Sequence, residues 1–574
     1  MRCQLAQIQF SRAVTLCIVR QPRRMHPKVG LHIVLLINQE NAVAEMLSEC
    51  AKRLLWILVW IAAVIAHPFV RLANLRRPKS LPRIRNPLLL ERATTLAHKI
   101  RTQQVTSEEV MRAFIARTKE VQPQLNCVVD ERYEEALQEA QQVDKFIRSG
   151  AKSVEQMEME TPFLGVPFSV KESIGVQGLS NTSGQKLRTK KIAAQDARTV
   201  SLVRAAGGIP FVVTNTPELC MCYETDNNNT GRTNNPYDLR RSPGGSSGGE
   251  AALLASAGSV VGLASDVGGS ARLPAAFTGI FGHKPSPGFV SNEGHCPSSS
   301  DPNWDRFFSV ALMGRYAEDL APTLRVMAGE NAAALNLQQK VDLKGMRVCY
   351  VEDDGAVFTR SLDPEVRSAL RKAVNHLEKS CGVKAEKLCI EELKDIFEIA
   401  STILLKMNAV ECMFQVEPGS KEWKSVTWEW VRYFACMSDY TFPPLLYGML
   451  KRIADKVSEE DFREMVSCNQ RIKNIFKEKL GEHGVVIFPS FTEPALLHRE
   501  IYYKFLNVSY LVTFNATEMP VTNCPVGMTA QGLPIGIQVA ANPLQDRLTI
   551  AVAEELQKAF GGWVAPPSDE KETV

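Results

Sequence analysis

Residues 241–285 contain ten glycines, and this segment restricts the possible folds more than any other stretch of the sequence. It reads RSPGGSSGGEAALLASAGSVVGLASDVGGSARLPAAFTGIFGHKP. Ordering glycine costs more backbone entropy than ordering other residues, so this density indicates positive φ angles or backbone brought close to a ligand. Ser246 and Ser247 lie in GGSSGG, and Ser270 lies in DVGGSAR. Serines on turns that present bare amides are typical of acyl-transfer chemistry.

Three kinds of site use serines in such turns. GGSSG satisfies the G-x-S-x-G pattern of a Ser-His-Asp hydrolase, but that nucleophile follows a strand, and the preceding NNPYDLRRSP is polar and broken by proline. A phosphate-binding loop requires G-x-x-x-x-G-K-[ST], whereas His-Lys-Pro follows the last glycine here. The third kind uses a lysine as the base.

Three separated blocks of sequence resemble the amidase signature family. They are GVPFSVKES with Lys171, GGSSGGE with Ser246 and SDVGGSARLP with Ser270, flanked by NNPYD, GIFGHKPSPG and GLPIGIQVAA. The resemblance extends over residues 90–562, and the string LCMCYET at 219–225 is most similar to the fatty-acid amide hydrolase branch of the family. It implies an α/β fold in which a central mixed, twisted sheet is covered by helices on both sides.

The resemblance implies a Ser-Ser-Lys triad. Ser270 is the expected nucleophile that forms the acyl ester, Ser246 is the proton relay held by a cis peptide bond, and Lys171 is the base. A lysine acts as a base only when neutral, and its ordinary pKa of about 10.4 leaves little neutral amine at pH 7. Burial at the end of the apolar run PFLGVPFSV is expected to lower the pKa of Lys171. The implied oxyanion hole consists of the backbone N–H groups of Val267, Gly268, Gly269 and Ser270.

Other polar residues near these blocks are given structural roles. Asp266 and Arg272 are predicted to form an ion pair that holds the turn, and Ser247 is expected to bond locally. His283 is interpreted as a structural histidine and is left out of the site. Glu172 follows the base where many family members have Asp, and this departure leaves the triad intact.

Sequence periodicity supports a mixed sheet covered by helices. Thr106 and Glu109 form a capping box ahead of apolar residues at helical spacing, which predicts a helix there. The runs over 162–170 and 209–215 are short, apolar and β-branched, as buried strands are. Alternation of such strands with helices favours a largely parallel or mixed sheet.

Composition excludes several classes of function. The 574 residues are 45% hydrophobic and 23% charged, which is close to the average for soluble proteins. A net charge of +4 is too weak to indicate a nucleic-acid partner. The 14 cysteines form no C-x-x-C pair and the nine histidines no H-x-x-H pair. We therefore expect free thiols, no metal and no cofactor.

The N-terminal region contains one apolar run. LLWILVWIAAVIAHPFV over 54–70 is flanked by basic residues and predicts a transmembrane signal anchor over 50–72. A signal peptide and a buried helix are the alternatives. Residues 1–49 are expected to be a disordered basic leader, 80–565 the catalytic domain and 566–574 a tail. The anchor would hold the protein on an endomembrane, with the side of the catalytic domain left open.

Residues 423–450 are rich in aromatic and leucine side chains. They form either an apolar cap with an acyl channel, by analogy with fatty-acid amide hydrolases, or a pair of core helices.

The expected reaction is hydrolysis of fatty-acid primary amides and N-acylethanolamines to a fatty acid and an amine. The alternatives are a general amidase of small non-lipid amides and a membrane-tethered, non-catalytic binder of lipid amides. The expected partners are a lipid-amide substrate, membrane lipid and, in a homodimer, a second copy of the chain.

Overall fold

The computed structural model describes residues 54, 57, 60, 61, 63–75, 80–186, 191–357, 359–407, 414 and 424–568. The chain divides into two compact units, Met1–Ile61 and Ala62–Val574, and all named elements belong to the second. The predicted leader over 1–49 and the tail residues 569–574 lie outside the described residues.

Strands and helices alternate along the second unit. In chain order they are α1 (Ala93–Arg101), α2 (Ser107–Leu125), β1 (Val128–Glu131), α3 (Tyr133–Arg148), α4 (Val154–Glu160), β2 (Pro167–Lys171), α5 (Arg198–Ala205), β3 (Ile209–Thr214), α6 (Gly248–Ala255), β4 (Val261–Asp266), α7 (Arg272–Thr278), β5 (Phe281–Lys284), α8 (Trp304–Phe307), β6 (Ser309–Gly314), α9 (Leu320–Ala328), β7 (Arg347–Tyr350), α10 (Pro364–Cys381), β8 (Glu386–Lys387), α11 (Ile396–Lys406), α12 (Val426–Phe434), α13 (Phe442–Ala454), α14 (Glu459–Leu480), β9 (Gly484–Pro489), α15 (Ile501–Lys504), α16 (Ser509–Ala516), β10 (Val521–Met528), β11 (Pro534–Ala541) and α17 (Asp546–Phe560).

The strands form one 11-stranded sheet in the order β1-β3-β2-β4-β6-β5-β10-β11-β9-β7-β8. The pairs β2–β3, β2–β4, β7–β8 and β7–β9 are parallel, and the other neighbours are antiparallel. Helices such as α6, α7, α10 and α17 pack against the strands. The expected mixed sheet flanked by helices is therefore confirmed.

Local sequence signals explain two of these elements. The Thr106 Oγ1 accepts from the Glu109 N–H at 3.1 Å, and the Glu109 carboxylate accepts from the Thr106 N–H at 2.8 Å, so the predicted capping box starts α2. The run predicted over 209–215 forms β3. The run over 162–170 pairs only from Pro167, because the Phe163 and Gly165 amides donate to a neighbouring turn instead.

The pairing of β2 with β4 positions the site. Ser169 lies opposite Gly262 and Val170 opposite Leu263 in a parallel register. Lys171 therefore ends β2 beside the last residues of β4. Residues that end neighbouring parallel strands meet at one edge of a sheet, which is a common place for active groups.

Residues 63–73 are helical and expose several large apolar side chains. These are Val64, Ile65, Phe69 and Leu72, each more than half exposed. Among the residues that the structure describes, no helix combines the length and the apolar character needed to cross a membrane. Within the anchor predicted over 50–72, residues 50–53, 55, 56, 58, 59 and 62 lie outside the described residues.

Candidate active site

Lys171 is wholly buried at the end of β2. Its Nζ lies 2.7 Å from the Ser246 Oγ and 2.9 Å from the Ser265 Oγ. Burial lowers the pKa of Lys171 from its ordinary value, while Cys220, Asp266 and Glu250 act in the opposite direction. This is the direction predicted from the sequence, and it enriches the neutral amine that a base requires.

Ser246 lies just before α6, and its peptide bond to Gly245 is cis. The carbonyl oxygen of Ser246 accepts from the Thr216 Oγ1 at 3.0 Å. A Cβ at Gly245 would come within 2.5 Å of the Cys222 carbonyl oxygen, so only glycine fits this approach. At this position glycine permits close contact with the protein's own backbone over residues 222–224.

Ser270 lies in the turn between β4 and α7. Its side chain and those of Ser246 and Ser265 line one cavity of about 170 Å³. The backbone N–H of Ser247 donates to the Ser270 carbonyl oxygen at 3.1 Å, which joins the two serine loops. The structure thus brings together side chains from all three sequence blocks.

The turn before Ser270 depends on glycine at position 269. Gly269 has a φ of +106°, and a Cβ there would lie 2.6 Å from the Leu511 Cβ. Its N–H donates to the Asp266 Oδ1 at 2.8 Å. Of the four amides predicted for the oxyanion hole, that of Gly269 is therefore engaged by a carboxylate in this structure.

Asp266 and Arg272 form the predicted structural ion pair, with both side chains fully buried and a closest contact of 2.8 Å. The Arg272 guanidinium also donates to acceptors in the C-terminal third, at 2.9, 2.6 and 2.6 Å, namely the Leu511 carbonyl oxygen, Asn515 Oδ1 and Gln538 Oε1. Burial alone would raise the pKa of Asp266, but Arg272 holds it well below its usual range. The pair fixes the turn from inside the protein.

Sequence reasoning missed three polar residues that lie close to the proposed triad. Ser265 joins Lys171, the His295 Nε2 lies 3.0 Å from the Ser265 Oγ, and Cys220 lines the same cavity. Burial opposes ionisation of the Cys220 thiol, but its interactions with Lys171 and His295 outweigh burial and lower its pKa to about 5. Ser265 and Cys220 lie inside quoted motifs, whereas no local pattern marks His295.

A second, apolar cavity of about 210 Å³ adjoins the one that contains the serines. Its walls come mainly from α11, α13, α15 and α16, including Phe397, Leu446 and Val512. Residues shared by the two linings form the junction: Met221, Cys222, Tyr223, Val267, Leu404 and Tyr447. We call the second cavity the apolar channel.

Residues 424–450 contain two helices that differ in exposure. Phe442, Leu446 and Leu450 on α13 line the apolar channel. Trp428 and Phe434 on α12 are instead exposed, by 61% and 77%. Residues 415–423 lie outside the described part of the chain.

His283 has the structural role assigned from the sequence. Its ring nitrogens contact the Thr522 Oγ1 at 2.8 Å and the Asp546 Oδ1 at 3.1 Å, away from the triad. The cysteines in the described part of the chain all have free thiols, as expected.

Comparison with known proteins gives consistent matches. The sequence model of the family described as Amidase matches residues 109–550. Fatty-acid amide hydrolase 2-A of Danio rerio is 40% identical over 523 residues, which cover 90% of this chain and 97% of that protein. Fatty-acid amide hydrolase 2 of Homo sapiens is 39% identical over 519 residues, covering 89% and 97%. The solved structure of 6-aminohexanoate cyclic dimer hydrolase superposes with a TM-score of 0.66 at 25% identity, covering 83% of this chain and 99% of that one.

Proposed function

This chain belongs to the amidase signature family, and we propose that it hydrolyses amides of long-chain fatty acids through an acyl-enzyme on Ser270. The observation that carries the proposal is the buried Lys171, whose Nζ lies 2.7 Å from the Ser246 Oγ in a cavity that Ser270 also lines. That cavity adjoins the apolar channel, which suits an acyl chain.

The proton transfers follow from the order of the three side chains. Neutral Lys171 takes a proton from Ser246 as Ser246 takes one from Ser270, whose Oγ attacks the amide carbonyl carbon. The C–N bond then breaks, and the reversed relay delivers the proton to the departing amine. Water attacks the resulting ester, using the same relay, and releases the fatty acid.

The developing oxyanion requires backbone donors in the turn before Ser270. We assign the N–H groups of Val267, Gly268 and Ser270 to this role, with Gly269 supplying the turn through its bond to Asp266. Loss of one oxyanion-hole donor typically costs about 3 kcal/mol of transition-state stabilisation. The ion pair that fixes this turn therefore supports catalysis indirectly.

The substrate class rests on the channel and on the relatives. Two relatives about 40% identical over about 90% of this chain are named as fatty-acid amide hydrolases. The channel lining is dominated by Phe, Leu, Val and Ile side chains, which favours an alkyl chain over a polar substituent. Fatty-acid primary amides and N-acylethanolamines are the substrates we propose.

We also infer that the protein works at a membrane surface, with residues 80–565 as the catalytic domain and 50–72 as the attachment. The exposed apolar side chains of 63–73 and of α12 support contact with lipid. Flotation of the full-length chain with phosphatidylcholine vesicles tests this. Phe69→Ser with Leu72→Ser should reduce the floated fraction, and an unchanged fraction would contradict lipid contact through this helix.

The catalytic proposal is tested with purified protein and two substrate groups. Oleamide and N-oleoylethanolamine should be hydrolysed at least about 10-fold more efficiently than acetamide or an aromatic amide. Ser270→Ala should abolish turnover and labelling by a fluorophosphonate probe, whereas Ser201→Ala, on α5 outside both cavities, should retain both. Preference for the short amides would refute the lipid substrate, and activity in Ser270→Ala would refute the nucleophile.

A further inference from the structure

A chain of buried polar contacts leads away from Lys171 to a histidine outside the proposed triad. The Lys171 Nζ lies 2.9 Å from the Ser265 Oγ, and that oxygen lies 3.0 Å from the His295 Nε2. The other ring nitrogen, Nδ1, lies 2.7 Å from the Pro297 carbonyl oxygen. Lys171, Ser265 and His295 are 0%, 2% and 6% exposed, so bulk water does not compete strongly for these contacts.

The carbonyl of Pro297 fixes the direction of the hydrogen bonds that link His295, Ser265 and Lys171. A carbonyl oxygen can only accept, so the His295 Nδ1 carries the hydrogen, and Nε2 of the neutral ring is an acceptor. The Ser265 hydroxyl can then donate to Nε2, which leaves its oxygen lone pairs for an N–H of Lys171. An amine that donates to Ser265 keeps its own lone pair for Ser246, 2.7 Å away.

We propose that His295 is a positioning residue that acts through Ser265 to aim the lone pair of Lys171 at Ser246. This inference rests on the proposed role of Lys171 as the base. Without an acceptor at position 295, the Ser265 O–H is free to rotate and donate to Lys171. It would then compete with Ser246 for the single lone pair that catalysis uses.

The surroundings of the ring keep it in this orientation. The His295 ring lies 4.6 Å from the Phe308 ring, centroid to centroid, and Phe308 stacks on Trp304 at 4.9 Å. The Ser173 Oγ also lies 3.0 Å from Nε2. Ser173 is therefore a matched control, because it offers a hydroxyl to the same nitrogen whereas the amine contacts Ser246 and Ser265.

The pH dependence of the reaction gives a readout that a purely structural histidine would not move. The ionisable groups that act on Lys171 are Cys220, Asp266 and Glu250. Asp266 and Glu250 are unaffected when His295 is replaced, but Cys220 also interacts with His295, so the pH profiles are compared in a Cys220→Ala background. A Ser265 hydroxyl that donates to the neutral amine stabilises that form and lowers the pKa of Lys171. Loss of His295 should thus move the acid limb of the kcat/KM profile to lower pH while kcat falls.

The experiment is a double-mutant cycle in the full-length protein. His295→Phe keeps a ring beside Phe308 but offers no acceptor, and it should lower kcat about 10-fold with KM changed less than about 2-fold. In a Ser265→Ala background the same replacement should change kcat less than about 2-fold, because the intermediary is absent. His295→Gln, which restores an acceptor, should recover most of kcat, and Ser173→Ala should stay near wild type.

The wild-type protein provides an independent measurement. In ¹⁵N-histidine-labelled protein, Nε2 of His295 should give the shift of an unprotonated nitrogen and Nδ1 that of an N–H, with the signals assigned by their loss in His295→Gln. The opposite tautomer would overturn the inference. The inference would also be overturned if the kcat losses of His295→Phe and Ser265→Ala simply multiplied in the double variant. A kcat loss in Ser173→Ala equal to that in His295→Phe would overturn it as well.

The same variants separate this inference from the function on which it rests. If Lys171→Ala or Ser270→Ala retains hydrolysis, the proposed triad fails. If both are inactive while His295→Phe keeps the wild-type kcat and pH profile, the triad stands and only the role of His295 fails.

Discussion

Asp266→Asn is the substitution that tests how the turn before Ser270 is held. The Asp266 carboxylate accepts from the backbone N–H groups of Gly269 and Ala271 and from Arg272, at distances of 2.8–3.1 Å. Asparagine has nearly the same shape, but it has only one accepting oxygen and no charge. The change leaves the guanidinium of Arg272 charged and fully buried.

The expected loss of unfolding free energy follows from the burial of the pair and from the acceptors that Arg272 keeps. Removing one partner of a buried ion pair costs about 3–5 kcal/mol. Arg272 would keep neutral acceptors in Leu511, Asn515 and Gln538, so we expect the lower end of this range, about 3 kcal/mol of unfolding free energy. The labelling rate of Ser270 should also fall, since the Gly269 amide loses its anchor.

The assay compares urea midpoints of wild type, Asp266→Asn and a surface control. Glu464→Gln removes the charge from an exposed pair with Arg471 of similar length, 3.0 Å, and should leave the urea midpoint close to that of wild type. Fluorophosphonate labelling is measured on the same samples. An Asp266→Asn midpoint equal to that of Glu464→Gln, with wild-type labelling, would refute the argument that this pair holds the turn.

Three further predictions concern packing, titration and the channel. Gly269→Ala should lower both activity and stability, because the added Cβ meets the Leu511 side chain. Gly288 also has a positive φ but has open space where a Cβ would lie, so Gly288→Ala should lower the free energy of unfolding by only about 1 kcal/mol. Equal effects of the two substitutions in urea unfolding would contradict this. Burial raises the pKa of Glu250 from 4.5 to about 7, so the folding stability contributed by its protonated carboxyl is complete below about pH 4.5 and is lost as the pH rises to 7, a loss of about 3 kcal/mol. The urea midpoint of wild type should therefore fall more than that of Glu250→Gln over this window, and parallel falls would exclude Glu250 as the cause. Ala400 lines the apolar channel, so Ala400→Phe should lower kcat/KM for oleamide at least about 10-fold. For butyramide, whose acyl chain is short, kcat/KM should fall less than about 2-fold. Equal losses for the two substrates would argue against an acyl chain in the channel.

The residues that could be predicted from the sequence are those with a local or ordered signal. Thr106 and Glu109 are three residues apart, and Asp266 and Arg272 flank one turn, so their contacts depend little on the rest of the fold. Lys171, Ser246 and Ser270 are predicted as a triad because three motif blocks occur in a fixed order; in the structure Lys171 contacts Ser246, and Ser246 and Ser270 line one cavity. The sequence periodicity also predicted the mixed sheet.

The remaining features depend on non-local contacts. Ser265 reaches Lys171 only because β2 and β4 pair in parallel, and their register has no signature in either strand. His295 lies on an irregular loop, where neither the two-residue repeat of a strand nor the 3.6-residue repeat of a helix can be used to predict which way a side chain faces. The late start of the strand predicted from residue 162 has a similar cause, since Phe163 donates its backbone N–H to the Ala206 carbonyl oxygen.

The partners of Arg272 have a consequence for the order of events during synthesis. All three residues of the proposed triad have been translated by residue 270, yet the first of the C-terminal acceptors of Arg272 is Leu511, which follows Arg272 by 239 residues. At about 5–20 residues per second, a ribosome needs roughly 12–48 s to supply it. During that interval a nascent chain carries the proposed catalytic side chains on a turn that lacks these C-terminal acceptors of Arg272. We therefore expect the reactivity of Ser270 to develop only after the last third of the chain has folded onto the first two thirds.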